Sequence, residues 1–384
     1  MDVKQLYSFV NDTTSEILGE QGIISEDLQN LVDVGNALFD ANAVDKYVKK
    51  LVNHIGRVIF VNRTYSGGVP DVLMDAWEFG SVLEKIACDL PDAQENESWD
   101  LVSGNSYDPN IFVAPSVYAK FYNKKITFEI QMSFTELQVK QSFSSADQLN
   151  GFVSMLYTAI ENSMTVKIDS LIMRTINNMI GQTVVAEYNG ASLGSKSTVK
   201  AINLLYLYND TYSASLTDDD CLTNPDFIRF ASYMINLYAT RLTKISTLFN
   251  VGGKERFTPE DRRITVLHGD FVASAKAFLY SGTYHDELVA LPQASVVPYW
   301  QGSGTDYDFD NTGSIDITTA NGDAIQVTGI IGVMFDRDAL GVTNLDRRVT
   351  TNYNPKAEFY NNWFKFDAGY FNDFNENFVV FFVA

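Results

Sequence analysis

A few segments carry side chains whose types and spacing could bind an ion or support a reaction. Asp306, Asp308 and Asp310 alternate along a polar segment, and alternating carboxylates can turn their oxygens toward a hard cation such as Ca²⁺. The EF-hand pattern, however, requires a glycine and a glutamate at the positions that Asn311 and Ile317 occupy. We therefore interpret the three aspartates as a solvated acidic loop. They are weak candidates in a chain for which we predict no metal site.

A glycine-containing segment near the middle of the chain has part of the pattern of a phosphate-binding loop. Gly252, Gly253 and Lys254 match the end of that pattern. Leu248, however, stands where the first glycine belongs, and Glu255 replaces the serine or threonine that would hold Mg²⁺. Because the hydroxyl ligand and the first glycine are both absent, the segment does not predict nucleotide binding.

The histidines and cysteines are few and lack the spacing of a reactive or metal-binding set. His54, His268 and His285 form neither an HExxH motif nor a zinc-finger spacing. Cys88 and Cys221 form no CxxC pair and are too few for a disulfide framework, which is typical of a reducing compartment. We therefore expect no catalytic residue and no cofactor, and we predict a protein that is not an enzyme.

The composition is that of a folded, acidic protein. Its 384 residues are 46% hydrophobic and 13% aromatic, which excludes wholesale disorder. The net charge of −20 repels phosphate backbones and disfavours a free-standing nucleic-acid-binding protein. The N-terminus has neither the positive charge nor the apolar core of a secretory signal, and no apolar run approaches the roughly 20 residues of a membrane span. We therefore expect no membrane association.

Two stretches in the first third of the chain alternate as β-strands do. In 126–135 every second residue is apolar and its neighbours are polar, which predicts a strand with one wet face. Earlier, Val82, Ile86, Cys88 and Leu90 share one parity of a second strand, with Glu84 the exception. A polar excursion, 91–115, separates the two stretches. Because a two-stranded hairpin is marginal alone in water, we expect this one to need a partner surface from this chain or another.

A long helical pattern follows the hairpin. Apolar residues recur with helical spacing from Leu149 to Met179, after a possible cap at Ser144–Ser145. From Ala146 to Gly181 the helix would hold 36 residues and measure about 54 Å. Two interpretations stay open at this point. The first is a core helix that breaks near 162–163, and the second is an unbroken spine helix that supports the rest of the molecule.

The remaining elements alternate between helices and strands and end in an aromatic tail. Asn224 and Pro225 predict the start of a helix, and 263–267 and 325–335 read as strands, with a helix over 270–279 after the first. From Tyr353 to the C-terminus, 12 of 32 residues are aromatic. Aromatic side chains at this density would aggregate in water, so the tail must close a core or an intersubunit seam.

The C-terminal region carries a family resemblance. It resembles the corresponding part of the major capsid proteins of tailed bacteriophages with the Hong Kong 97-like fold, closest to the short-tailed podophages similar to phage phi-twenty-nine. The stretches that carry the resemblance are 336–342, 348–355, 358–363 and 367–371, and 51–59 near the N-terminus adds to it. The order of the hairpin and the long helix also agrees with the layout of that family.

The resemblance implies an α+β fold of named parts. Residues 1–56 would form an N-terminal arm, and 57–143 the E-loop hairpin with flanking strands of the P domain. The spine helix of the P domain would span 144–182. Most of the A domain would lie in 183–330, and 331–384 would be strands that return to the P domain.

The resemblance also implies a function and partners. The chain would be a major capsid protein that self-assembles from pentamers and hexamers into the icosahedral head shell, around double-stranded DNA that it does not bind by sequence. A portal protein and a separate scaffolding protein are implied, with assembly in the cytoplasm of the bacterial host and a final location in the virion. We expect the intersubunit contacts to involve residues of the hairpin region: Trp77, Phe121, Tyr122, Lys124, Lys125 and Phe128.

Two alternatives remain for the function. Another virion structural protein, such as a tail subunit, would share the need for copies of itself. A carbohydrate-binding β-protein would use tyrosines and tryptophans for sugar stacking. The missing secretory signal and the long helix disfavour the second alternative.

Overall fold

The computed structural model describes most of the chain beyond its N-terminal region. The described ranges are 72–74, 83–91, 112–135, 146–280, 291–298, 313–318 and 324–384, with isolated positions within 11–46 and 93–110 and at Trp300. Several residues of the sequence analysis therefore lie outside the described part: Trp77, His54, His285, Asp306, Asp308 and Asp310.

The described helices are one very long helix and four shorter ones. They are α1 (Ala146–Tyr188), α2 (Leu204–Tyr212), α3 (Asp218–Cys221), α4 (Pro225–Arg241) and α5 (Gly269–Tyr280). The prediction for α4 is confirmed, because the side chain of Asn224 accepts hydrogen bonds from the backbone N–H groups of Asp226 and Phe227, with Pro225 at the first helical position.

The described strands form four sheets. The strands are β1 (Leu73–Met74), β2 (Leu83–Cys88), β3 (Val117–Tyr122), β4 (Lys125–Thr135), β5 (Ala201–Asn203), β6 (Arg263–His268), β7 (Ser295–Val297), β8 (Ile315–Thr318), β9 (Ala324–Val327), β10 (Ile330–Asp336), β11 (Leu340–Asn354), β12 (Phe359–Asn372) and β13 (Phe378–Phe382). One sheet has the order β1-β11-β12-β4, and a second has the order β5-β13-β10-β6-β7. The pairs β2-β3 and β8-β9 form two-stranded sheets.

The long helix α1 is unbroken and longer than the sequence pattern predicts. Its 43 residues pass Asn162 and Ser163 without interruption, so of the two interpretations left open the unbroken helix is the one that the structure contains. The helix also continues through Gly181 and ends at Tyr188, before Asn189 and Gly190, which both have positive φ. A Cβ at Gly181 would lie 2.1 Å from the Cδ1 atom of Ile317, so this glycine permits close packing and does not end the helix.

The five-stranded sheet separates two hydrophobic cores. On β13, Phe378, Val380 and Phe382 face the core that contains α1 and the four-stranded sheet. Val379 and Phe381 face the other core, which α2, α4 and α5 cover. Because successive strand residues point to opposite faces, one fully buried strand contributes to both cores.

The aromatic tail is buried within the subunit. Phe378, Phe381 and Phe382 are fully buried, and so are Tyr360 and Phe366 of β12. Of the two roles that the sequence left open, closing a core is therefore the one that these residues fulfil. The predicted strand over 325–335 is two strands, β9 and β10, because Gly329 turns the chain with φ +65°.

Candidate assembly surface

The hairpin of β2 and β3 has two chemically different faces. Cross-strand neighbours are Leu83 with Tyr122, Lys85 with Lys120, and Ala87 with Tyr118, all half-buried against the body of the molecule. The other parity points away from the body and is exposed: Glu84, Ile86, Cys88, Val117, Ala119 and Phe121. We call the first set the inner face and the second set the outer face.

The outer face exposes apolar side chains. Ile86 is 65% exposed, Val117 57% and Phe121 64%. The strand prediction for β2 is confirmed, but Ile86 and Cys88 lie on the solvent side, whereas the half-buried parity holds Lys85. In the segment that connects the two strands, Phe112 and Val113 are also exposed. Large contiguous apolar patches on a protein surface mark interaction sites.

The inner face is attached to the body by ion pairs at the corner between β12 and β13. The carboxylate of Asp373 lies between two lysines, with Oδ2 2.8 Å from Lys85 Nζ and Oδ1 2.8 Å from Lys120 Nζ. Glu376 accepts a second hydrogen bond from Lys85, at 2.7 Å, and lies 3.4 Å from Arg256 Nε. The side chain of Asp373 is only 3% exposed, whereas its partners Lys85 and Lys120 are 21% and 34% exposed, so the carboxylate is the shielded member of these pairs.

A second polar attachment lies at the end of the hairpin where β2 ends and β3 begins. Lys254 Nζ contacts both carboxylate oxygens of Asp89, at 2.9 and 3.0 Å, and Asp89 also accepts a hydrogen bond from Ser116. Arg256 donates to the hydroxyl of Tyr118. The lysine of the glycine-containing segment therefore contacts the hairpin through Asp89.

The pKa shifts agree with these pairings. Burial raises the pKa of Asp373, but the hydrogen bonds from Lys120 and Lys85 outweigh burial and leave this pKa below its usual value. Burial likewise lowers the pKa of Lys85, and the bonds to Asp373 and Glu376 outweigh it, so the net shift is upward. Both shifts favour the charged forms. Asp336 shows the opposite balance, because burial raises its pKa and its hydrogen bonds do not compensate.

The acidic corner is itself held rigidly by the backbone. The N–H of Asp373 donates to the carbonyl of Ala339 at 2.6 Å, and the N–H of Gly252 donates to the carbonyl of Phe374 at 2.8 Å. Asp373 Oδ1 also accepts a hydrogen bond from the N–H of Asn375 at 3.1 Å. The corner therefore presents its carboxylates in a fixed direction.

Comparison with known proteins decides the family. A model of the Phi29-like phage major capsid proteins matches residues 10–382. The chain belongs to this family. The match favours the head-shell interpretation over a tail subunit or a carbohydrate-binding protein, and it identifies the protein as a structural component of the phage capsid.

One solved structure resembles this capsid protein in fold, and two others are similar at lower TM-scores. The capsid structure of Staphylococcus phage Andhra is 10% identical, covers 84% of this chain and 86% of its own, and has a TM-score of 0.51. A structure of the head fiber and inner core protein gp22 of bacteriophage P68 is 11% identical, with coverage of 82% and 83% and a TM-score of 0.49. The capsid structure of cyanophage P-SCSP1u is 12% identical, with coverage of 84% and 93% and a TM-score of 0.43. A search of the curated proteins found no match.

The structure places the predicted contact residues of the capsid protein in different environments. Phe121 lies on the outer face, and Lys124 and Lys125 are exposed where the hairpin joins β4. Tyr122 packs against Phe371 with ring centroids 4.9 Å apart, so its ring is used within the subunit. Phe128 likewise stacks on Phe366 at 5.0 Å, within the four-stranded sheet.

Sequence reasoning missed the residues that hold the hairpin. Lys85 and Asp373 are 288 positions apart, and no local pattern connects them. Lys85 and Lys120 are the charged residues in a strand parity that is otherwise apolar or aromatic, and that is the one signal that could have indicated a buried acidic partner.

The described residues contain no cluster of histidine, cysteine or acidic side chains that could hold a metal ion. Within the same part of the chain, no helix combines the length and apolar character needed to cross a bilayer. Cys88 is an exposed free thiol, and Cys221 is buried and free.

Proposed function

We propose that this capsid protein builds the phage head shell by laying the outer face of its β2–β3 hairpin against an adjacent subunit. The observation that carries the proposal is the exposure of Ile86, Val117 and Phe121 on one face of a hairpin whose other face is occupied. The occupant is a second copy of this chain, because the family forms shells from many copies of one protein.

The energetics suit a shell. Burial of a large apolar side chain contributes about 1.5–3 kcal/mol, and part of that gain is lost in ordering the two partners. Each contact is therefore weak, and stability comes from repetition around closed rings. A hairpin with an apolar face can accept small changes in angle between pentamers and hexamers, because apolar contacts are not directional.

The parts of the capsid fold can be assigned on this basis. We assign the E-loop to the hairpin within 57–143 and the spine helix of the P domain to 144–182, although α1 itself continues to Tyr188. The core beneath α2, α4 and α5 corresponds to the A domain within 183–330. The C-terminal strands within 331–384 belong to the P domain, with β13 shared between the two cores. The N-terminal arm would be 1–56.

The partners follow from the same role. A separate scaffolding protein and a portal protein would direct assembly in the host cytoplasm. The shell would enclose double-stranded DNA without sequence-specific contacts, because a net charge of −20 per subunit repels phosphates. Salt would aid assembly, since it screens the repulsion between acidic neighbours over about 10 Å at 0.1 M.

The test replaces the apolar side chains of the outer face. The double variant Ile86→Ser and Phe121→Ser should fold like the wild type, because both side chains are exposed, but should form few or no shells in electron microscopy and sedimentation. Its matched control, Ile86→Val with Phe121→Leu, keeps the face apolar and should assemble. Normal shell yield from the serine variant would refute the proposal.

A further inference from the structure

The inner face of the hairpin contains an unfavourable pair of its own. Lys85 and Lys120 are directly opposite each other on β2 and β3, and like charges in directly opposite positions destabilise a strand pair. A two-stranded hairpin is already marginal alone in water. The sequence of the hairpin therefore disfavours its own pairing unless an anion lies against the two ammonium groups.

Asp373 supplies that anion with a geometry that fits both lysines. Each of its carboxylate oxygens accepts one lysine at 2.8 Å, so one side chain bridges the two strands. Glu376 adds a second acceptor for Lys85, and the carbonyl of Asp338 a third. The acidic corner and the paired lysines are complementary in number and in position.

We propose that Asp373 is the positioning residue that stabilises the β2–β3 hairpin and fixes its angle on the body before any other subunit is present. The consequence for shells rests on the proposed function, because the fixed angle presents the outer face in one direction. The positioning itself is a property of the single chain.

The order of charges along the hairpin also sets its register on the body. Lys85 and Lys120 face the acids Asp373 and Glu376, whereas Asp89 at the end of β2 faces the cation Lys254. If the hairpin shifted along the body so that Lys85 and Lys120 took the place that Asp89 now occupies, they would approach Arg256 and Lys254. Repulsion there would oppose the shift.

The acidic corner also depends on the hairpin, because the hairpin supplies the cations that pair with its buried carboxylate. The Asp373 side chain is almost fully shielded, and a buried carboxylate that loses its cations is strongly unfavourable. Because backbone hydrogen bonds hold the corner in place, the corner cannot turn outward to regain water. Departure of the hairpin is therefore opposed from both sides.

The test measures hydrogen exchange of the unassembled full-length chain. Asp373→Asn removes the charge but keeps an oxygen that can accept from Asn375, so the corner should keep its shape. We expect amides of β2 and β3 to exchange about tenfold faster or more, with the rest of the chain unchanged. The matched control is Glu129→Gln, which breaks the 3.1 Å ion pair with Lys365 between β4 and β12 and should leave the hairpin unaffected.

A second substitution distinguishes charge positioning from simple loss of packing. Lys120→Met alone leaves Asp373 paired with Lys85 and should change hairpin exchange by less than about threefold. Added to Asp373→Asn, it removes the uncompensated repulsion and should restore part of the protection. Unchanged exchange in Asp373→Asn, or a double variant that is worse than Asp373→Asn, would overturn the proposal.

A third variant covers the case in which Asp373→Asn does not fold. Lys120→Glu alters only the hairpin and places a like charge beside Asp373, so it should release the hairpin while the body stays protected. If the amides of β2 and β3 in Lys120→Glu exchanged as slowly as in the wild type, the positioning role of Asp373 would be contradicted. Because these readouts use single subunits, they fail or succeed independently of shell formation, which the outer-face variants test.

Discussion

The five-stranded sheet and the β2–β3 hairpin are attached to the molecule by opposite means. All five residues of β13 are buried, and they interlock with two apolar cores. The hairpin instead lies on the body through ion pairs of lysines, arginine and carboxylates, with Tyr122 against Phe371 as an aromatic contact. Apolar burial on both faces makes the sheet inseparable from the fold, whereas directional ion pairs hold a surface element at a defined angle and leave its other face free.

The largest expected effect tests the sheet side of this comparison. Phe381→Ala should destabilise the subunit by about 3–5 kcal/mol, because it opens a cavity in a core where the ring is fully buried and lies 5.6 Å from the ring of Tyr238. Thermal denaturation followed by circular dichroism measures the change. A melting temperature close to that of the wild type would mean that β13 is less essential than its burial indicates.

Two glycine substitutions, one beside the five-stranded sheet and one in the hairpin segment, should have effects of intermediate size on stability. Gly329 has φ +65°, and a Cβ there would lie 2.1 Å from the backbone oxygen of Val383. Gly104 lies in the segment that connects β2 to β3. It has φ +97°, and no atom lies within 4 Å of such a Cβ.

Both alanine variants carry the backbone strain of about 1–3 kcal/mol, but Gly329→Ala adds a clash with a backbone that cannot move freely. We expect Gly329→Ala to lower the unfolding free energy clearly more than Gly104→Ala in urea denaturation. Equal losses would show that the packing around Gly329 yields easily.

The smallest effect is the pH dependence of the hairpin attachment. The pKa of Asp373 is lowered from 3.8, so its contribution is complete above pH 3.8 and is lost as pH falls through the lowered value. The pKa of Lys85 is raised from 10.5, so its contribution is complete below pH 10.5 and is lost as pH rises further. Hairpin exchange, corrected for intrinsic rates, should be slowest between these limits.

The loss of hairpin protection at low pH can be tested with its own control. In Asp373→Asn the loss of protection below pH 3.8 should largely disappear, because the titrating group is gone. A loss of the same size in that variant would assign the acid dependence to another carboxyl. Asp336 would not explain it, because burial raises its pKa and its protonation therefore stabilises the fold as pH falls.

Local patterns predicted the elements of the fold well, because each depends on neighbouring residues. The cap at Asn224, the alternation along β4 and the aromatic tail all identified elements that the structure contains. Family resemblance supplied the fold class and the function. What local patterns could not supply was the role of Gly181, which depends on Ile317 across the core.

The candidate site was less predictable than the fold. Parity alone assigns apolar residues of β2 to the protected side, yet Ile86 is exposed and Lys85 faces the body. The reason is a corner 288 residues away, Asp373, which makes a charged inner face favourable. Under the proposed function, the outer face would be covered by another subunit, and this would account for apolar side chains that face outward.

The central claim, that the outer face of the hairpin is covered by another subunit, can be tested without any substitution. Cys88 lies on that face as an exposed thiol, and Cys221, the other cysteine of the sequence, is buried. The measurement is the rate at which a maleimide labels Cys88 in unassembled subunits and in purified shells. We predict rapid labelling of the subunits and strong protection in the shells; equal rates in both would contradict the account.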